Sequence, residues 1–252
     1  MNIAVVTGAS SGMGKEFVLQ LSQYVQVDQI WVIARRQSAL EQLQQGCTVP
    51  VRPIVLDLCQ PESFQTYARL LEQEKPDVKL LVNAAGFGKF GAFQNVPMED
   101  DLRMIDLNCK ALVVMTRLTL PYMAPGSHIL QLDSLSAFQP VPYLNTYAAT
   151  KAFVLSYTRG LNRELRGSGI RMMAMNPGWV KTEFFDHAVH DDTVTYYNRI
   201  YTAEQVVSRA MRDMKKGKDV SICGKQIRAQ VRLTKLLPHK LVMNIWCKQQ
   251  KK

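Results

Sequence analysis

The feature that most constrains the fold is a repeated change of hydrophobic period along the chain. Short β-branched runs at Asn2–Thr7, Gln29–Ala34, Val51–Leu56, Lys79–Ala84, His128–Asp133 and Ile170–Asn176 alternate with helical patterns such as Gly14–Tyr24, Pro61–Gln73, Met98–Met123 and Thr146–Arg166. Strand–helix–strand repetition builds right-handed crossovers, so the strands lie parallel and helices cover both faces. The expected fold class is α/β, a doubly wound parallel sheet. No repeat, low-complexity stretch or Gly/Ser linker divides the 252 residues, and one domain over 1–252 is expected.

The net charge of +10 is local. Residues 1–214 hold 20 Lys+Arg against 20 Asp+Glu, whereas residues 215–252 hold 11 Lys+Arg against Asp219 alone. A neutral body with a basic tail does not look like a nucleic-acid binder. The five cysteines are scattered without a CxxC pair, which argues against a metal site or a disulfide framework and for a reducing, cytoplasmic setting. No apolar run approaches the ~20 residues of a membrane span. The N-terminus reaches Thr7-Gly8 too early for the apolar core of a signal peptide.

The first strand ends in Thr7-Gly8-Ala9-Ser10-Ser11-Gly12-Met13-Gly14 and runs into a helix. Glycines at 8, 12 and 14 allow a tight turn whose backbone N–H groups approach a pyrophosphate, aided by the positive end of the helix. The second strand ends Ile33-Ala34-Arg35-Arg36. A dinucleotide fold chooses its cofactor at this point: a carboxylate binds the ribose 2′-OH, and a guanidinium a 2′-phosphate. With Arg35 and Arg36 and no acid, NADP is expected over NAD.

Tyr147-Ala148-Ala149-Thr150-Lys151 sets a phenol and an ammonium one helical turn apart on one face. A phenol with an ordinary pKa of about 10 holds its proton at neutral pH, and a nearby cation favours its release. Bringing it to neutrality takes roughly 4 kcal/mol of differential stabilisation. Upstream, Ser134 follows the fifth strand, where a hydroxyl can bond a substrate oxygen. Asn108 lies inside the helical stretch 98–123, although asparagine has little helix propensity.

Taken together, TGASSGMG, NAAG at 83–86, Asn108, Ser134, YAATK at 147–151 and PGWVKT at 177–182 resemble the short-chain dehydrogenase/reductase family in order and spacing. The resemblance covers about residues 2–185 and implies a single Rossmann-like domain with a bound NADP. It implies that Tyr147 exchanges the proton, that Lys151 lowers the phenol pKa and bonds the nicotinamide ribose, and that Ser134 orients the carbonyl. Asn108 would hold a water that links Lys151 to solvent. The turn residues Gly8, Ser10, Ser11, Gly12, Met13 and Gly14 would cradle the pyrophosphate. Asp57 and Leu58 would meet the adenine, with Asn83, Ala84 and Gly86 along the adenosine ribose. Pro177 and Gly178 would back the nicotinamide, and Val180 and Thr182 would hold its carboxamide. Two departures stand out: Asp133 precedes Ser134 where the family often has serine, and Ser11 stands where NADP-preferring members sometimes carry a basic residue.

Apolar and aromatic residues fall where the family lines its substrate cleft: Phe87, Phe90, Phe93, Phe138, Val141, Tyr143 and Leu144. A substrate lid is expected over 183–202, with Phe184, Phe185, Tyr196, Tyr197 and Tyr201, while His187 and His190 read as surface. These residues suit a bulky lipophilic ketone or alcohol. The tail 225–252 is a basic amphipathic extension, expected to pack on the body or a partner subunit rather than on a membrane. The expected function is an NADP(H)-dependent ketone reductase, or a hydroxysteroid-dehydrogenase-like enzyme, working as a homodimer or homotetramer. The alternatives are a 3-oxoacyl reductase of fatty acid synthesis, a non-catalytic NADP-binding sensor, and a membrane-surface protein.

Overall fold

The structure is a computed structural model that describes residues 1–188, 191 and 193–252, with only the backbone of His187. His190 and the His187 side chain, both expected at the surface, lie outside the described residues. In chain order the first half contains β1 (Asn2–Thr7), α1 (Gly12–Gln20), β2 (Gln29–Ala34), α2 (Gln37–Gln42), β3 (Val51–Val55), α3 (Pro61–Glu74), β4 (Asp77–Asn83), α4 (Met98–Ile105) and α5 (Leu112–Thr119). The second half contains β5 (His128–Leu132), α6 (Asn145–Glu164), β6 (Arg171–Met175), β7 (Trp179–Lys181), α7 (Phe184–Ala188), β8 (Ile200–Thr202), α8 (Ala203–Lys215), β9 (Val220–Ser221), α9 (Lys225–Thr234) and α10 (His239–Gln249).

Seven parallel strands form one sheet in the order β3-β2-β1-β4-β5-β6-β9. This is the expected doubly wound α/β fold. Successive strand side chains point to opposite faces, and both faces here are apolar. On one face Ala4, Val6, Val32, Val82 and Leu130 pack against Phe17 of α1 and Val207 and Met211 of α8. On the other, Ile3, Val5, Trp31, Leu81 and Ile129 pack against Tyr67 and Leu71 of α3 and Met115 of α5. The strand order reverses between β1 and β4, and a crevice opens there at the carboxyl ends.

Three local departures matter for the site. The helix expected over 98–123 is broken by a π-helical turn at Asp106–Ala111, which contains Asn108. The short strands β7 and β8, absent from the sequence reading, pair in parallel at the two ends of the lid segment. The basic extension is two helices, because Pro238 with its extended ψ of 135° cannot continue α9 and instead starts α10.

The glycine turn is close-packed. A Cβ on Gly14 would stand 2.2 Å from the Gly8 carbonyl oxygen, and one on Gly8 (φ +66) would stand 2.7 Å from the Ala85 nitrogen. Thr7 secures the same junction by accepting hydrogen bonds from the Ala84 and Ala85 N–H groups, both at 3.1 Å. Gly14→Ala is therefore expected to cost about 2–3 kcal/mol in urea unfolding, because backbone rather than a flexible side chain must yield. A variant as stable as the parent would show that the turn is looser than described.

Candidate functional site

Two cavities meet at the crevice. The first is a groove lined by Gly8, Ser10, Ser11, Gly12, Met13 and Gly14 from the turn, Arg35 and Arg36 after β2, Asp57 and Leu58 after β3, and Ala84 and Gly86 after β4. The residues expected at the pyrophosphate and adenosine end of a dinucleotide, Asn83 apart, are thus on one surface. The start of α1 has no side-chain cap and no acidic residue in its first turn, so its N–H groups are free to receive an anion. Arg36 reaches over the groove to the Ser10 carbonyl and hydroxyl, both at 3.3 Å, and to Glu183 at 3.2 Å. These residues fit a phosphorylated dinucleotide.

Asn83 departs from expectation. It is buried, its amide donates to the Thr116 hydroxyl at 3.1 Å, and it does not line the groove. The side chain of the last β4 residue alternates inward to α5, leaving Ala84 and Gly86 at the opening.

The second cavity, of about 460 Å³, shares Met13, Gly86, Leu132, Thr182 and Phe184 with the groove, so the two are continuous. Tyr147, Lys151 and Ser134 stand at its inner end beside Pro177, Gly178 and Val180. Lys151 is buried, donates to the Leu132 carbonyl at 2.7 Å, and sits 5.6 Å from the centre of the Tyr147 ring. Phe90 and Phe184 pack against that ring at 5.5 and 5.8 Å. Burial pushes the phenol well above its ordinary range, the neighbouring Ser134 hydroxyl pulls it down, and Asp133 pushes it up. The sequence suggested a phenol lowered by Lys151. In the free protein the largest influence on the phenol is desolvation, which raises it.

Asn108 is held by the π-helical turn. Its amide donates to the Phe87 carbonyl at 2.9 Å and the Thr150 hydroxyl at 3.1 Å, and its oxygen accepts from the Phe87 N–H at 3.1 Å. Both amide hydrogens are engaged, so the side chain braces the loop after β4 against α6. The expected water-holding role is not carried by those hydrogens.

Asp133 is the feature that sequence reasoning noted without using. It is 1% exposed, accepts a hydrogen bond from the Asn176 amide, and leaves Oδ1 without a protein partner. Burial raises its pKa to about 8, against the pull of the Lys151 charge. Lys151 is in turn lowered by burial and raised by Asp133. The two sense each other's charge at the floor of the cavity without a salt bridge between them.

Of the expected cleft residues, Phe90, Val141, Leu144, Phe184, Phe185 and Tyr196 line the cavity. Phe87 lies in the groove instead, Phe93 is exposed, and Phe138, Tyr143, Tyr197 and Tyr201 lie behind the walls. Missing from the sequence reading was the outer wall, made by Val231, Leu233 and Leu237 and by Val242, Ile245 and Trp246 of α10. The signal was present as Val242, Ile245, Trp246 and Gln249, an i, i+3, i+4, i+7 stripe. The stripe is held down by Trp246 donating to the Pro142 carbonyl at 2.9 Å. Gln250 holds it too, accepting from the Thr195 and Tyr196 N–H groups at 2.9 Å each.

The model of the short chain dehydrogenase family matches residues 2–193. The chain belongs to the short chain dehydrogenase family. Among its relatives, the NADP-dependent 3-hydroxy acid dehydrogenase of Escherichia coli K12 is 31% identical over 83% of this chain and 87% of its own. Sulfoacetaldehyde reductase 2 of Chromohalobacter salexigens is 33% identical over 73% and 74%. A short-chain dehydrogenase from Sphingobium yanoikuyae, solved in complex with NADPH, superposes with a TM-score of 0.77 at 27% identity, covering 88% of this chain and 87% of that one.

Asp133 predicts a pH signature. Its carboxyl is raised to about 8 in the fold, so stability falls as pH climbs from the unfolded carboxylate range toward that value. The stability of the parent in thermal unfolding is therefore expected to weaken between about pH 4 and pH 8, and Asp133→Asn, which has no such proton to lose, is expected to flatten that slope. An unchanged slope in the variant would assign Asp133 only its bond to Asn176.

Proposed function

We propose that the chain is an NADP(H)-dependent oxidoreductase that transfers a hydride between nicotinamide and a carbonyl or secondary alcohol of a bulky lipophilic substrate. A ketone reductase, or an enzyme of hydroxysteroid-dehydrogenase type, fits best. One observation carries the reading: Tyr147, Ser134 and Lys151 stand where a dinucleotide-shaped groove opens into an apolar cavity. NADP is favoured by Arg35 and Arg36 at the end of β2.

When bound, NADPH supplies the hydride. Burial leaves Tyr147 with its proton in place, so it is in the form that can protonate the carbonyl oxygen, and the neighbouring Ser134 hydroxyl eases the release that burial opposes. Ser134 donates a hydrogen bond to the same oxygen and shares its developing charge. Lys151, fixed by the Leu132 carbonyl, supplies positive charge beside the phenol as the proton leaves. Pro177, Gly178, Val180 and Thr182 would back and hold the nicotinamide, with Asp57 at the adenine end. Phe90, Phe184, Val141, Leu144 and Trp246 exclude water from the reacting atoms. Among the described residues the cavity lining carries charge only at Asp133 and Lys151, which suits an uncharged substrate rather than a small anion. Exposed Met98, Leu102 and Ile105 on α4 and Phe153 on α6 support association of copies.

Two variants test this reading. In a panel of steroid, acyl and small aromatic ketones followed at 340 nm, Tyr147→Phe is expected to keep NADPH affinity and to lose about a thousandfold or more in turnover. Retained turnover would overturn the mechanism. Arg35→Asp is expected to weaken NADPH binding by about tenfold or more while sparing NADH. An unchanged preference would clear Arg35 of cofactor choice.

A further inference from the structure

We propose that α9 and α10 form a docking surface that seats the mouth of the cavity on an anionic lipid bilayer. Residues 225–252 carry eight Lys and Arg and no acidic residue, next to a body that is neutral. On the same two helices and the turn between them, four large apolar side chains face solvent. Leu233 is 56% exposed, Leu236 82%, Leu241 46% and Ile245 46%. Leu236 is the most exposed large hydrophobic residue among those described.

The decisive observation is continuity. Leu233 and Ile245 are at once exposed and part of the cavity wall, so the apolar lining runs outward through them to the surface. Lys235, Lys240, Lys248, Lys251 and Lys252 are all exposed on this segment. A lipophilic molecule dissolved in a bilayer would meet a greasy rim ringed by cations. Leucines entering the acyl boundary and lysines reaching the headgroups are the two components of interfacial binding.

The opposite face of the segment is already occupied. Val231 and Val242 are buried, Trp246 bonds Pro142, and Gln250 bonds Thr195 and Tyr196. Leu236 and Leu241, exposed and outside the cavity lining, are therefore free to meet a surface. A second copy is the poorer occupant, because two such surfaces would bring like charges together. No described helix is long and apolar enough to cross a membrane, so the contact is with the interface. The purpose of the surface rests on the lipophilic substrate proposed above, but its lipid binding does not; flotation and turnover are separate readouts.

The test is flotation of the full chain with vesicles of phosphatidylcholine alone and of phosphatidylcholine with phosphatidylglycerol, at low and high salt. The parent is expected to float with the anionic vesicles and to be released by salt. Lys240→Glu with Lys248→Glu is expected to weaken partitioning by about thirtyfold or more. Leu236→Ser with Leu241→Ser, which keeps the charge, is expected to weaken it by about tenfold. None of these four residues lines the cavity, so turnover of a water-soluble ketone should be unchanged in both variants. No flotation, equal flotation on both vesicle types, or flotation indifferent to the leucine pair would overturn the proposal. So would a leucine variant that loses a subunit in sedimentation while still floating, since the face would then join copies of the chain.

Discussion

A buried ammonium organises this molecule. Lys151 is almost fully withdrawn from water, and an unpaired cation there would unfold the region or lose its proton. Its neighbours answer that demand in part: the Leu132 carbonyl accepts from it at 2.7 Å, and the Asp133 carboxyl works against the loss of its proton. The ends of β5 and α6 are thereby fixed to each other, and this sets Tyr147 and Ser134 at one end of one cavity. Asn108 adds the third support by tying the loop after β4 to Thr150 on α6.

The same withdrawal from water shapes the chemistry. A phenol packed among Phe90, Phe184 and the lysine stem keeps its proton in the free protein, and burial makes it a weaker acid than a phenol in water. On the proposed mechanism, reduction would start from the protonation state that the fold prefers. In the oxidative direction, the positive charge of the oxidised dinucleotide would have to help draw the proton away.

Much of this was legible in the amino-acid order. Parallel strands buried on both faces announce themselves as apolar runs, and Gly8 and Gly14 of the turn are required by contacts of 2.2–2.8 Å that no Cβ survives. Tyr147 and Lys151 share a face by helical geometry alone. What stayed hidden depends on tertiary packing. The π-helical turn sets Asn108 against Phe87 and Thr150, neither of which is a neighbour in sequence. Asn83 turns toward Thr116 because of the pleat, though its motif is read as cofactor-facing. The tail's charge was conspicuous, but its role as the outer wall of the cavity needed the contacts of Trp246 and Gln250 with loops about 100 and 55 residues earlier.

The central claim is that Tyr147 is a protonated phenol inside a cleft shared with the dinucleotide groove. Carbon-13 labelling of the tyrosine rings, with the Tyr147 signal assigned by its loss in a phenylalanine variant, reads its titration directly. The account predicts that in the free protein this signal stays in its protonated form past the ordinary tyrosine value of 10.0. Ionisation below about pH 8 in the free protein would contradict it, because burial would then not govern the group on which the chemistry rests.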